Sequence, residues 1–115
     1  MHEMGLAQSI VEIVESAARD NNANRVDSVK LSIGELANIE MESLMQSLKC
    51  ASANTVMQQA DIAIERPSGQ AWCMQCGQSV VIHRIGEACP ICSGHQLTIT
   101  SGTEMQVAQI ELLTD

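Results

Sequence analysis

Two short motifs of the same form decide how this chain folds: Cys73-Met74-Gln75-Cys76 and Cys89-Pro90-Ile91-Cys92. Each Cys-x-x-Cys folds into a tight turn that directs both sulfur atoms at one point, and twelve residues separate the two motifs. Two such turns supply the four thiolates of a tetrahedral zinc site. The sequence therefore predicts a zinc ribbon whose structural zinc ion has four ligands: Cys73, Cys76, Cys89 and Cys92.

The residues around the motifs support zinc over other uses of paired cysteines. Gly77 follows the first motif and Gly94 lies two residues after the second, where a positive φ would let backbone amides turn toward the sulfurs. A redox role for either pair is the alternative, but it would require one Cys-x-x-Cys at the start of a helix in a βαβ unit. An iron tetrathiolate or an iron–sulfur cluster is chemically open as well.

Composition restricts the class of protein. The chain has 115 residues, 45% hydrophobic, with one Trp and no Phe or Tyr, so we expect one domain, or one small domain carrying a smaller insert, with an aliphatic core. The net charge of -8 and six scattered basic residues argue against nucleic acid as a partner. No apolar run is long enough for a membrane span and no signal peptide is recognised. Two pairs of cysteines and an odd Cys50 fit metal ligation in a reducing cytoplasm better than they fit disulfides. Cys50 is predicted to be a buried small apolar residue.

Hydrophobic periodicity gives the order of elements. Apolar spacing predicts helices over 4–19 and roughly 40–52, the second capped by Asn38, and strands over 26–33 and 61–66. Short strands are expected at 80–82 and 97–100, and a final strand changes parity near Ala108 and Gln109. The predicted fold is α+β: a small three-stranded sheet covered by two helices, with an inserted zinc-ribbon module. The predicted domains are 1–69 together with 102–115, and a zinc-binding domain of 70–101.

The first three residues, Met1-His2-Glu3, suggest a second metal site. Methionine is retained before a large residue, so the amine of Met1 is expected to be free. That amine, the amide nitrogen of His2 and its imidazole can close adjacent chelate rings on one ion. A deprotonated amide suits square-planar Ni(II) or Cu(II) far better than zinc. Glu3 could add its amide, or a carboxylate that holds the imidazole. Many proteins carry a histidine at position 2 without binding metal there, so this motif alone is weak.

Taken in order, these features resemble the HypA/HybF family of nickel metallochaperones for [NiFe]-hydrogenase maturation. The resemblance rests on the Met-His-Glu start, the amphipathic helix after it, Ser32-Ile33-Gly34 closing a strand, and the cysteine motifs with Cys-Pro-x-Cys second. It implies a nickel-binding domain of 1–69 and 102–115, with transported Ni(II) held through His2 and neighbouring backbone nitrogens and supported by Glu3. It also implies delivery with the GTPase HypB to the hydrogenase large subunit, and some members serve urease as well. A monomer and a homodimer are both open.

Two other function classes compete with a metallochaperone. A zinc-ribbon adaptor without metal transfer would tolerate loss of His2. A zinc hydrolase is disfavoured because four thiolates fill the tetrahedron and leave no position for a reactive water. No enzymatic activity is therefore expected.

Overall fold

The computed structural model describes residues 2–114, which form two helices and six strands. Their order along the chain is α1 (Glu3–Asp20), β1 (Arg25–Ile33), α2 (Met41–Ser52), β2 (Asp61–Glu65), β3 (Gly69–Cys73), β4 (Gln78–Ile82), β5 (Leu97–Ser101) and β6 (Met105–Leu113). The strands form two three-stranded sheets, of order β2-β1-β6 and β4-β3-β5. The predicted α+β class is confirmed.

Both predicted helices are present and pack on each other. The predicted apolar stripe of α1 is buried except for Ala17, which is half-buried; its buried members are Ala7, Ile10, Val11, Val14 and Ala18. On α2 only Leu44 and Leu48 of the predicted apolar face are fully buried, while Met45 is 41% exposed. The predicted cap at Asn38 is wrong, because Glu40 caps α2 by accepting the Ser43 N–H at 2.7 Å. A glutamate side chain reaches the same amide that a shorter capping residue would satisfy.

The sheet β2-β1-β6 has β1 at its centre, and the alternation predicted for this strand is seen in its burial. Val29, Leu31 and Ile33 share one parity and are buried. On β6 the half-buried residues are Val107, Ile110 and Leu112, so the change of parity expected near Ala108 is present in the burial pattern.

The sheet β4-β3-β5 contains a strand that the sequence did not predict. β3 pairs antiparallel with both neighbours, and its residues Ala71 and Cys73 are buried. The prediction missed it because the strand is short and bounded by Gly69 and a metal motif, where alternation is hard to recognise. This central strand ends at Cys73, the first of the four paired cysteines.

Contacts divide the chain into two compact units. The first consists of Met1–Leu31, Ile39–Ala63 and Val107–Asp115, and the second of Ser32–Asn38 and Ile64–Gln106. The predicted boundaries of 70 and 101 lie inside the second unit, which also includes a segment from between β1 and α2. Which unit holds which metal stays a prediction.

Two further properties follow from the described chain. Cys50 is exposed on α2, so its predicted burial is wrong. It lies outside the stripe formed by Leu44 and Leu48, two residues past the latter. Of the helices within 2–114, none combines the length and apolarity that crossing a bilayer requires.

Candidate metal centre

The four paired cysteines come from one strand and two loops. Cys73 is the last residue of β3, and Cys76 lies in the turn that leads to β4. Cys89 and Cys92 lie in the loop between β4 and β5. Cys73 and Cys89 are buried, whereas Cys76 and Cys92 are half-buried. The antiparallel pairing of β3 with both neighbours brings the two loops to the same end of this sheet.

The geometry of the sulfur atoms fits a tetrahedral ion. All four Sγ atoms lie within 4.8 Å of one another, and all are free thiols rather than disulfides. The Sγ atoms of Cys73 and Cys92 are 3.7 Å apart, and those of Cys76 and Cys89 are 3.9 Å apart. Zinc–sulfur bonds of about 2.3 Å place tetrahedral sulfurs about 3.8 Å apart. The donor set therefore matches zinc in number, chemistry and spacing, and leaves no open coordination position.

Backbone amides are directed at the sulfurs in both motifs. The amide groups that donate to Sγ atoms are Cys76 N–H to Cys73 at 3.3 Å, Ile91 N–H to Cys89 at 3.4 Å, and Gly94 N–H to Cys92 at 3.4 Å. Such donors stabilise thiolates and the metal bound to them.

In both turns the residue directly after the Cys-x-x-Cys motif has a positive φ, but this residue is a glycine in the first turn and a serine in the second. Gly77 has φ 65° and donates its N–H to the carbonyl of Cys73, and Ser93 has φ 63° and donates to the carbonyl of Cys89. The expectation that Gly94 supplies the positive φ is therefore wrong, since Ser93 does so. Comparing the first residue after each motif would have identified it. A Cβ at Gly94 would lie 2.7 Å from Oε1 of Gln75, a flexible side chain that can move, and 3.3 Å from Sγ of Cys92, a tight contact with a predicted metal ligand.

The electrostatics of the cluster call for a cation. Backbone N–H groups of Cys92 and Ile91 lower the pKa of the Cys89 thiol to about 7. Hydrogen bonding with the Cys92 sulfur, together with burial, raises the pKa of the Cys76 thiol to about 12. Four sulfurs this close cannot all be ionised unless a positive ion offsets their repulsion. A bound divalent metal would provide that charge.

The other imidazoles lie outside this cluster. Among the residues described, the only grouping of three or more potential ligand side chains is the four cysteines, so neither His83 nor His95 is included. The Nδ1 atom of His83 instead lies 2.6 Å from Oε1 of Glu35, and this hydrogen bond raises the pKa of His83.

The predicted nickel residues begin at Met1, which lies outside the described residues. His2 is exposed and stands immediately before α1, with φ -112° and no side-chain capping bond. Its carbonyl accepts the Leu6 N–H at 2.9 Å. Glu3 is the first residue of α1 and is only 6% exposed, and its Oε2 atom accepts the Glu40 N–H at 3.3 Å. The imidazole of His2 is thus exposed to solvent, whereas the carboxylate of Glu3 is buried.

Comparison with known proteins gives the family. A family model described as "Hydrogenase/urease nickel incorporation, metallochaperone, hypA" matches residues 1–112. The chain belongs to the HypA family. The resemblance seen in the sequence is confirmed, and with it a nickel metallochaperone family whose four-cysteine site is consistent with structural zinc.

Individual relatives agree over almost the full length of the chain. The hydrogenase maturation factor HypA of Azoarcus sp. strain BH72 is 46% identical over 112 residues, covering 97% of this chain and 98% of the relative. The HypA of Dechloromonas aromatica is 39% identical over 112 residues, with coverage of 97% and 99%. The solution structure of the Ni metallochaperone HypA from Helicobacter pylori has a TM-score of 0.70 at 22% identity, with both chains covered completely. At that identity, the likeness supports the fold.

Proposed function

We propose that this protein is a nickel metallochaperone that binds Ni(II) through its N-terminal residues and delivers it for [NiFe]-hydrogenase maturation. The observation that carries the proposal is the family match over residues 1–112, which includes both the Met-His-Glu start and the cysteine motifs. The relatives named above are hydrogenase maturation factors, and one solved relative is a nickel metallochaperone. Nickel is cargo in this proposal, and the protein carries out no catalysis.

The surroundings of His2 support its role as a nickel ligand. The imidazole is exposed and makes no capping bond, so it is not committed to holding the helix. The N–H groups at a helix start have no intrahelical acceptor, so a metal can displace the amide proton of His2, which passes to solvent, without breaking the helix. Together with the amine of Met1, these atoms form the in-plane donor set that Ni(II) prefers.

Glu3 supports this site by fixing the start of α1. Its buried carboxylate accepts the N–H of Glu40, the capping residue of α2, at 3.3 Å. A carboxylate in the first turn also interacts favourably with the helix dipole. Glu3 thereby holds the backbone next to His2 in a defined position, while the imidazole remains free to bind.

The second site is structural in this proposal. Cys73, Cys76, Cys89 and Cys92 bind Zn(II) and stabilise the unit that contains β3, β4 and β5. The buried core of that unit contains six residues, two of which are cysteines, so metal bonds contribute much of its folding free energy. Cys73→Ser should release zinc and unfold this unit while α1 and α2 largely persist, as measured by zinc content and circular dichroism. Stoichiometric zinc in that variant would contradict a four-thiolate site.

Partners and location follow from the same assignment. We propose the GTPase HypB and the hydrogenase large subunit as protein partners, with urease maturation proteins as further clients. Five free thiols persist most readily in a reducing compartment, which supports a cytoplasmic location.

A test in cells separates metal delivery from an adaptor role. His2→Ala should abolish hydrogenase activity at trace nickel, and excess nickel in the medium should partly restore it by bypassing the chaperone. His95→Ala, which also removes an exposed imidazole, serves as the control and should leave activity intact. Normal hydrogenase maturation by His2→Ala cells at trace nickel would favour a zinc-ribbon adaptor without metal transfer.

A further inference from the structure

A three-residue segment between β1 and α2 is bonded into the unit that contains the cysteines. We call this segment, Gly34–Leu36, the strap. Its three consecutive N–H groups each donate to a backbone carbonyl at 2.8 Å: Gly34 to Glu104, Glu35 to Pro67, and Leu36 to Gly102. The acceptors flank the cysteine-bearing strands on both sides in sequence. The strap therefore connects the two ends of the segment that carries the metal ligands.

Arg66 strengthens this connection from the opposite direction. Its Nε atom donates to the carbonyl of Ile33 at 3.1 Å and its Nη2 atom donates to the carbonyl of Gly34 at 2.9 Å. The guanidinium holds two successive carbonyls at the start of the strap, a geometry that its planar fork suits and that a lysine could not reproduce.

The strap passes too close to its neighbours for any side chain at position 34. A Cβ built at Gly34 would overlap the carbonyl oxygen of Gly102. Gly34 is therefore required for close approach of two backbones, which gives a physical reason for a glycine at the end of the Ser32-Ile33-Gly34 motif.

Leu36 then inserts its side chain into the core beneath the metal centre. It is 5% exposed and belongs to the buried cluster of this unit, whose members are Leu36, Ala71, Cys73, Val80, Ile82 and Cys89. It is the one member supplied from outside residues 69–92. Because the cluster is so small, a single leucine contributes a large share of its apolar packing.

We propose that the strap controls how firmly the cysteine cluster retains its metal. Zinc leaves a closed four-thiolate site through local opening of the surrounding structure, and the strap must detach for this unit to open. Leu36 acts as a positioning residue that keeps the core closed beneath Cys73 and Cys89, although it lies far from them in sequence. The inference rests on the proposed zinc site.

The test measures zinc transfer from the full-length, zinc-loaded protein to an excess of the chromogenic chelator 4-(2-pyridylazo)resorcinol. Leu36→Ala should release zinc roughly tenfold faster than the unsubstituted protein, because the cavity it leaves favours the open state. Leu44→Ala is the matched control: it removes the same atoms from a fully buried site in the other unit, and should leave the release rate unchanged. Arg66→Gln removes the hydrogen bonds to the carbonyls of Ile33 and Gly34 without touching the core, and should accelerate release severalfold.

Four outcomes would separate the alternatives. If Leu36→Ala binds zinc and releases it at the unsubstituted rate, the strap has no such role. Equal acceleration by Leu44→Ala would also overturn the proposal, because release would then follow global unfolding. If Leu36→Ala fails to fold, the zinc release rate of Arg66→Gln tests the proposal, and an unchanged rate in that variant overturns it. A protein that holds no zinc even without substitution would instead refute the proposed zinc site itself.

Discussion

The Nδ1 atom of His83 lies 2.6 Å from Oε1 of Glu35, which ties the residue after β4 to the middle of the strap. The two residues are 48 positions apart in sequence. The bond raises the pKa of His83, first through the hydrogen bond to Glu35 and then through the negative charges of Glu35 and Glu87. The pair therefore links the stability of the cysteine-containing unit to pH.

We predict that the stabilising effect of His83 is greatest in mild acid. A raised pKa means that the folded state favours protonated imidazole. The effect is fully present below the ordinary pKa of about 6.5 and is lost as the pH rises through the raised value. Urea unfolding should show His83→Asn less stable than the unsubstituted protein near pH 6, with the difference shrinking toward pH 9.

The difference should be small, because 60% of the His83 side chain is exposed and water screens the pair. His95→Asn, which removes another exposed imidazole, is the control for loss of a histidine side chain. A difference between His83→Asn and the unsubstituted protein that grows with rising pH would refute this prediction.

Replacing Ser93 with glycine should stabilise the zinc-loaded protein. Ser93 has φ 63°, and the left-handed region costs an L-residue about 1–2 kcal/mol. Glycine avoids this cost but loses about 0.5–1 kcal/mol more in backbone entropy on folding. The expected net gain in unfolding free energy is about 0–1.5 kcal/mol, measured by urea titration.

Ser79→Gly in β4 makes the same chemical change in a strand, and should destabilise the protein because glycine weakens strands. If Ser93→Gly instead destabilises the protein as much as Ser79→Gly does, backbone strain at Ser93 does not limit the stability of the zinc-loaded protein.

Cys50 should be the first cysteine to react with iodoacetamide in the zinc-loaded protein. Its thiol is exposed on α2, whereas the four other sulfurs lie within 4.8 Å of one another and would be bound to metal. Mass spectrometry should detect a single rapid alkylation, and Cys50→Ser should abolish it without changing zinc content. Rapid alkylation at Cys73 or Cys89 in zinc-loaded protein would be inconsistent with a closed site.

One residue added before Met1 should remove tight nickel binding. The addition converts the terminal amine to an amide and takes His2 out of its position in the chelate. Zinc content should not change, because the cysteines do not depend on the amine. The same residue added after Asp115 is the control. Equal nickel affinity of the two extended proteins would place the nickel site elsewhere, for example at His83 or His95.

Local patterns predicted the parts of the structure that depend on neighbours in sequence. The two Cys-x-x-Cys motifs predicted the four-sulfur cluster, and helical spacing predicted the buried stripe of α1 from Ala7 to Ala18. Alternation predicted β1 because Val29, Leu31 and Ile33 lie on one face and are buried. In each case the signal is repeated several times within a short segment.

The features that were missed depend on contacts between distant segments. Leu36 looked like a loop residue, because its burial is created by strands that lie more than thirty positions later. Glu40 was missed as the cap of α2 because a glutamate is an unusual choice for that position. Cys50 was assigned to the interior by residue type, although the direction of its helix face decides its exposure.

The most direct test of the central claim is a titration of Ni(II) into untagged, zinc-loaded protein that begins at Met1, monitored by isothermal titration calorimetry. The proposed function predicts about one tightly bound Ni(II) per chain, with proton release because the His2 amide and the terminal amine must lose protons to bind. His2→Ala should bind no Ni(II) tightly and keep its zinc. Unchanged nickel affinity and stoichiometry in His2→Ala would contradict an N-terminal nickel site.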